Sequence, residues 1–225
     1  MWEIGQVIII AKLCKMLATK MVTNWVDLSF LNFGQEVFKM RKFLGILVLG
    51  LLFFSNVNAE ERESELNNLF KQLKNSEAAK AIEIENKIWK IWSIHPSNDR
   101  RGYRLTELLA QGSFLMAKEE LNKAYEIFSQ IILADPNWAE GWNKRATVLY
   151  LMGRYQDSLI DIDEVLKREN RHFGALSGQG LVQTKLKNYE KAIKSYQAVQ
   201  KIYPSIRAAK VMIPQLKKLI NDEVI

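Results

Sequence analysis

From residue 61 onward, apolar side chains recur three and four places apart, the spacing that gathers them on one face of a helix. Leu66, Leu69, Phe70 and Leu73 mark a first helix; Ala78, Ala81, Ile82, Ile88, Trp89 and Trp92 mark a second. Asn75-Ser76 separates them, and Ser76 is placed to cap the second. His95-Pro96-Ser97-Asn98-Asp99 has the composition of a loop. Beyond it the pattern acquires a longer period. Blocks that start at Leu105, Ala139 and Phe173 each run 34 residues. Position 8 of the block is small in all three (Gly112, Ala146, Gly180), and so is position 20 (Ala124, Ser158, Ala192). Position 17 (Leu121, Tyr155, Tyr189), position 24 (Phe128, Ile162, Tyr196) and position 27 (Ile131, Val165, Val199) are large and apolar. Position 32 reads Pro136, Asn170, Pro204.

A period of this length marks a stack of identical supersecondary units. Small residues at positions 8 and 20 let two antiparallel helices approach closely, where a larger side chain would force the backbones apart. Large residues at 17, 24 and 27 fill the groove between one helical hairpin and the next. Proline at 32 stops the second helix, since it lacks an N–H donor and restricts the residue before it. Gly153 marks the turn inside the middle block. Residues 207–225 carry Val211, Ile213, Leu216, Leu219 and Ile220 beside Lys210, Lys217 and Lys218, a pattern suited to covering the exposed end of a stack. Pro214 inside this stretch predicts a kink or a helix restart.

The first 59 residues read differently. From Met40, two cations (Arg41, Lys42) precede an unbroken apolar run, Phe43 to Phe54, and a polar stretch with Val57 and Ala59 at the small-residue positions of a cleavage site. That is the layout of a secretory signal peptide. The run would span roughly 18 Å as a helix, short of a hydrocarbon core of about 30 Å. Cleavage after Ala59 is therefore expected, with an uncleaved membrane tether as the alternative. No cysteine follows the expected cut, so a lipoprotein signal is not indicated. Residues 1–39 are read as an upstream extension of the gene, with translation starting at Met40, or else as a leader of another kind.

The repeating blocks resemble the tetratricopeptide repeat family. The resemblance rests on Trp142, Ala146, Gly153, Tyr155, Ser158 and Ile162 in the middle block, and on Leu176, Gly180, Tyr189, Ala192, Tyr196 and Pro204 in the third. In the first block Gly112, Ala124, Phe128 and Pro136 agree, while Leu108 replaces the usual tryptophan and Glu119 the usual turn glycine. Together with the signal-like leader, this is similar to small exported repeat proteins of Gram-negative, α-proteobacterial cells. The resemblance implies an all-α, right-handed solenoid of three helix-turn-helix repeats at 105–138, 139–172 and 173–206. An N-terminal helical pair and loop (60–104), which could stack as a divergent repeat, and a capping helix (207–225) complete it.

The resemblance also implies a concave, ligand-facing surface at positions 2, 5, 9, 12 and 13 of each first helix. Here the expected groove residues are Met116, Asn143, Thr147, Tyr150, Ser177, Leu181 and Thr184. Family members that clamp a terminal carboxylate use lysine, asparagine and arginine on this face. Here the lining is largely neutral, which fits an extended peptide or a partner helix better. In that reading Asn143 offers a hydrogen bond to a peptide backbone, and Tyr150 and Leu181 offer apolar contacts. The alternative is a groove filled by the protein's own N-terminal helices. Arg145 and Asp161, at positions 7 and 23 of antiparallel helices, are expected to form a structural ion pair.

Composition narrows the function further. Six of the 32 Lys and Arg and three of the 25 Asp and Glu lie in residues 1–59, so the remainder carries a net charge of only +4, with opposite signs interspersed. That gives no case for nucleic acid. The single cysteine, Cys14, excludes a disulfide framework, and its position leaves the expected mature chain without a thiol, which suits an oxidising compartment. Only His95 and His172 are available as histidine ligands. Gly174, Gly178 and Gly180 follow no predicted strand, so they are read as packing positions rather than a phosphate loop. Tyr189, Tyr196 and Tyr203, spaced like a base-stacking ladder, are read as core. Asp161 and Asp163 point about 200° apart on a helix and do not converge. No catalytic constellation, metal site or cofactor motif is found, and no small-molecule substrate is expected. The expectation is a non-catalytic periplasmic module that binds a protein or peptide in its groove, serving envelope assembly or maintenance, or a scaffold tethered to the inner membrane.

Overall fold

Each repeat turns at the same place, and the turn explains the helix boundaries. Residues Glu119, Gly153 and Lys187, all at position 15, adopt positive φ of 61°, 74° and 59°. The next amide in each turn reaches back to the carbonyl five residues earlier: Glu120 to Leu115, Arg154 to Leu149 and Asn188 to Gln183, at 3.0, 2.8 and 2.8 Å. This is the left-handed helix ending that closes a helix and reverses the chain. The second helix then begins at position 17 in every repeat.

The computed structural model describes residues 60–223, which fall within one compact unit, Ser55–Ile225. The signal-like segment, the upstream leader and Cys14 lie outside the described residues. Helix α1 covers 60–75 and α2 Ala78–Ser93. The repeats follow as α3 (Arg100–Ala117) with α4 (Leu121–Ala134), α5 (Ala139–Leu151) with α6 (Tyr155–Arg168), and α7 (Phe173–Lys185) with α8 (Tyr189–Ile202). Helix α9 spans Arg207–Glu223. No strand occurs among the described residues. The 95–99 loop ends at Asp99, whose carboxylate accepts from the Gly102 amide at 2.7 Å and starts α3 a turn ahead of the repeat frame.

From α3 to α9 each helix packs on the next, and α3, α5, α7 and α9 also touch in sequence along one face. Position 8 is small because the ring at position 24 of the partner helix lies across it. A Cβ on Gly112 would come within 2.6 Å of the Phe128 ring, and one on Gly180 within 2.7 Å of the Tyr196 ring. Position 20 is buried in all three repeats, and Ser158 turns its hydroxyl onto the Ala146 carbonyl at 2.8 Å. Helix α9 runs unbroken through Pro214, so the expected restart does not occur. Ala209 and Leu216 on either side of it are fully buried, while Pro214 itself is exposed. Packing outweighs the one main-chain bond that proline removes.

The N-terminal pair does not stack ahead of the first repeat as a divergent unit; the alternative, helices lying in the groove, is the one seen. Instead α2 runs across the three inter-repeat turns. His95 Nε2 meets Asp135 Oδ2 at 2.8 Å, and Trp138 donates its indole N–H to the Trp92 carbonyl at 3.1 Å, at the first turn. Trp92 stacks on His172 (4.1 Å between centroids, 9° between planes) and Trp89 meets Phe173 edge-on at 5.3 Å, at the second. Tyr203 donates to Glu85 at 3.0 Å at the third. Helix α1 lies against α2 through Phe70, whose ring is 5.8 Å from that of Trp92, and Arg62 donates to the Ile91 carbonyl at 2.6 Å. Arg171 joins α1 to the second turn through Glu63 at 2.9 Å and through Asn67.

Candidate binding groove

The resemblance places the ligand-facing surface at positions 2, 5, 9, 12 and 13 of the repeats, on α3, α5 and α7, which touch one another in sequence. At positions 2 and 5 these helices are covered by α2 and the loop that follows it. Thr106 at position 2 of α3 accepts the His95 amide at 3.0 Å, and Leu109 is buried. Glu140, at position 2 of α5, is 1% exposed. Gly174, at position 2 of α7, lies under Trp89, so that a Cβ there would meet the indole at 2.5 Å. Asn143, expected to face a ligand, is 7% exposed and gives its amide N–H to both carboxylate oxygens of Glu140 at 3.2 Å. The correction has a physical reason. Glu140 is a carboxylate held away from water, and Asn143, His172 and Lys144 are the groups that satisfy it.

Both histidines of the described chain are used in the same way. His172 Nδ1 accepts from the Ala175 amide at 3.0 Å, which caps α7, so Nε2 carries the proton to Glu140 at 3.1 Å. His95 Nδ1 accepts from the Ser97 amide at 3.1 Å and turns Nε2 to Asp135. Burial works to raise the Glu140 carboxyl, but the hydrogen bond from His172, aided by Lys144 and Asn143, outweighs it and holds the group below its ordinary 4.5. Burial pushes the Tyr203 hydroxyl up to about 12, with the Glu85 carboxylate adding to it. These are fastenings. The helical pair fills the half of the groove that lies toward the inter-repeat turns.

The other half is open. Met116 and Tyr150 are half-buried, Thr147 is exposed, Leu181 is 41% exposed and Thr184 is half-buried. Tyr150 leans on Tyr155 at 5.7 Å between centroids. The hydroxyls expected to greet a ligand donate instead to their own helices. Ser113 bonds the Leu109 carbonyl at 2.7 Å, Thr147 the Asn143 carbonyl at 3.0 Å and Thr184 the Gly180 carbonyl at 2.7 Å. What remains for a partner is methyl surface and oxygen lone pairs. Ser177 and Leu181 form one wall of a cavity of about 430 Å³, whose opposite wall is α9.

Arg145 and Asp161 stand apart from this face. Arg145 holds Asp161 through two parallel bonds, Nε to Oδ2 at 2.7 Å and Nη2 to Oδ1 at 2.8 Å, and reaches Ser129 on α4 at 3.3 Å. Its guanidinium lies over Trp142 at 5.1 Å, so the pair joins α4, α5 and α6. Among the described residues no three His, Cys, Asp or Glu side chains gather as a metal cage, and no helix is long and apolar enough to cross a membrane. Sequence reasoning carried a groove filled by the N-terminal helices only as the alternative, and it missed the cavity residues Tyr196, Arg207 and Met212. Tyr196 was legible only as core, and Arg207 carries no motif.

Comparison with known proteins agrees with this architecture. A family model described as tetratricopeptide repeat matches residues 175–206. A TPR repeat-containing protein of Rhizobium etli is 35% identical over 169 residues, covering 72% of this chain and 80% of that protein. Among solved structures, the first TPR of Spaghetti (RPAP3) bound to the HSP90 peptide SRMEEVD is similar over 52% of this chain and 93% of its own, at 17% identity and a TM-score of 0.51. MamA is similar over 63% of this chain and 77% of its own, at 20% identity and a TM-score of 0.50. With the period, the shared turn geometry and a relative matched over most of its length, the chain belongs to the tetratricopeptide repeat family.

Proposed function

We propose that the protein is a non-catalytic interaction module that takes a segment of a partner protein on the open half of its concave face. The observation that carries the reading is the division of that face. Positions 2 and 5 of α5 are sealed under the molecule's own helices, while Thr147, Tyr150, Leu181 and Thr184 farther along the same face are left accessible. Structures of similar fold support it, since those of RPAP3 hold peptides of HSP90 and HSP70. The open half of the groove here is lined by apolar surface and lone-pair acceptors.

The proposal includes place. The segment Met40–Ala59 has the layout of an export signal, so the module is assigned to the periplasm after cleavage between Ala59 and Glu60, in envelope assembly or maintenance. A photo-crosslinking residue installed in the full chain at Thr147 or Thr184, expressed in its own cell, tests both parts. The expected result is a discrete adduct from either position and none from Asp163, an exposed residue on α6, with the adduct in the periplasmic fraction. Adducts from position 163 alone would remove the groove assignment. Adducts that sediment with membranes and retain Phe43–Phe54 would replace export with tethering.

A further inference from the structure

At the far end of the open groove the cavity between α7, α8 and α9 has a composition of its own. Its walls are Ser177, Leu181, Tyr196, Ala208, Val211 and Met212, with Arg207 beside them. Leu181 and Val211 are 41% and 43% exposed, so apolar surface on both walls faces solvent. Two polar atoms here lack partners. The Tyr196 hydroxyl belongs to a residue 1% exposed and makes no hydrogen bond, and neither does the buried Ser177 hydroxyl. Burial pushes the Tyr196 group up to about 12, so it stays a neutral donor. Buried hydroxyls without partners are uncommon in folded proteins, and each calls for a reason. Charge here has one sign. Arg207 is the only ionisable side chain of the wall apart from Tyr196, and it forms no ion pair among the described residues.

We propose that this cavity seats an aliphatic side chain of an extended partner segment, with an acidic residue beside it on Arg207 and a main-chain carbonyl on the Tyr196 and Ser177 hydroxyls. The inference rests on the groove reading above and names the chemistry of its occupant. The apolar walls supply burial for a leucine-sized group together with a stretch of main chain. The two hydroxyls are donors without acceptors, which a backbone carbonyl supplies and an apolar tail does not. The unpaired cation selects a neighbouring carboxylate over an ammonium. In this the site differs from His95, Glu140, Asn143 and His172 in the sealed half of the groove, each of which already has a partner inside the molecule.

The test uses the full chain and a fluorescent, acetylated and amidated peptide of alternating leucine and aspartate, read by anisotropy. The expected result is saturable binding that weakens about tenfold in Arg207→Glu and in Leu181→Asp, both changes at exposed positions. A peptide with lysine in place of aspartate should bind at least as weakly. Tyr196→Phe separates binding from folding. It removes a hydroxyl that has no partner in the free protein, so the melting temperature should hold or rise while peptide binding falls several-fold. Absence of binding, or binding indifferent to Arg207→Glu and Leu181→Asp, would overturn the assignment. Competition by octanoate as effective as by unlabelled peptide would give the cavity to free amphiphiles and overturn it as well. Adducts at Thr147 and Thr184 that persist in the Arg207→Glu protein would show that only the seat had failed and the groove stands.

Discussion

The three repeats and the helical pair laid across them are held together by contacts of two kinds. Inside the repeats each contact is made more than once. The ring at position 24 packs over the small residue at position 8, a left-handed residue at position 15 ends the first helix, and the second begins at position 17. In the pair each contact is made a single time, with its own chemistry: an indole stacked on an imidazole, an indole N–H on a carbonyl, a phenol on a carboxylate. Losing one repeat contact leaves similar ones above and below. A contact of the pair has no such copies, because each turn meets α2 through side chains of its own. Stability of a linear repeat array is a sum of neighbour terms, and α2 adds a connection that runs along the array and couples all three turns.

The largest way to break that coupling is Trp92→Ala. It deletes a buried ring that stacks on His172 and packs on Phe70, and it should cost about 3–5 kcal/mol, the usual range for emptying a buried aromatic site. Chemical unfolding followed by far-UV circular dichroism would show it as a lower midpoint. A loss no larger than that of an exposed substitution would mean that α2 carries little of the structure.

A smaller effect should follow pH. Glu140 is held below its ordinary value in the fold, so its contribution is complete above about pH 4.5 and is lost as pH falls through the folded value. Tyr203 is held above its ordinary 10.0, so its contribution is complete below that value and is lost as pH rises toward about 12. Unfolding midpoints measured across this range should drop at both ends. Glu140→Gln should flatten the acid limb and Tyr203→Phe the alkaline one. An acid limb of the same steepness in Glu140→Gln would show that other carboxylates govern it.

How much of this was legible in the sequence follows from the same contrast. Positions 8, 17, 20, 24 and 27 were readable because they recur, and a recurring requirement leaves a pattern; the turn at position 15 showed only through Gly153. The Arg145–Asp161 pair was readable from helix geometry, since positions 7 and 23 of antiparallel helices face each other. That α1 and α2 enter the groove was raised only as an alternative, and the residues they meet there were not readable. Their apolar spacing says that they are helices, but Trp89, Trp92 and Glu85 have no counterparts in other repeats to show what they meet. Asn143 was misplaced for this reason. Nothing local to α5 signals that Glu140, one turn earlier, is buried beneath another element and takes up its amide. The helix restart expected at Pro214 did not occur, because a local cost was weighed without the burial of Ala209 and Leu216 on either side.

The smallest expected effect lies wholly inside the repeats. Glu119 and Lys187 hold a backbone conformation that costs a residue with a Cβ about 1–2 kcal/mol, whereas Gly153 holds it freely. Glu119→Gly and Lys187→Gly should each raise stability by a fraction of that, since glycine also makes the unfolded chain more flexible. Thermal midpoints would check this, and a fall in both variants would mean that these side chains have contacts that outweigh the strain.

The central claim is that α2 is a brace fixed to all three turns and closes half of the groove. Hydrogen exchange on the intact protein, resolved by peptide, tests it most directly. Amides of Ala78–Ser93 should exchange as slowly as those of α5 and α7, and open with them in one step. Exchange of α2 at the rate of a frayed terminus, with α5 to α8 still protected, would contradict it and return that half of the groove to a partner.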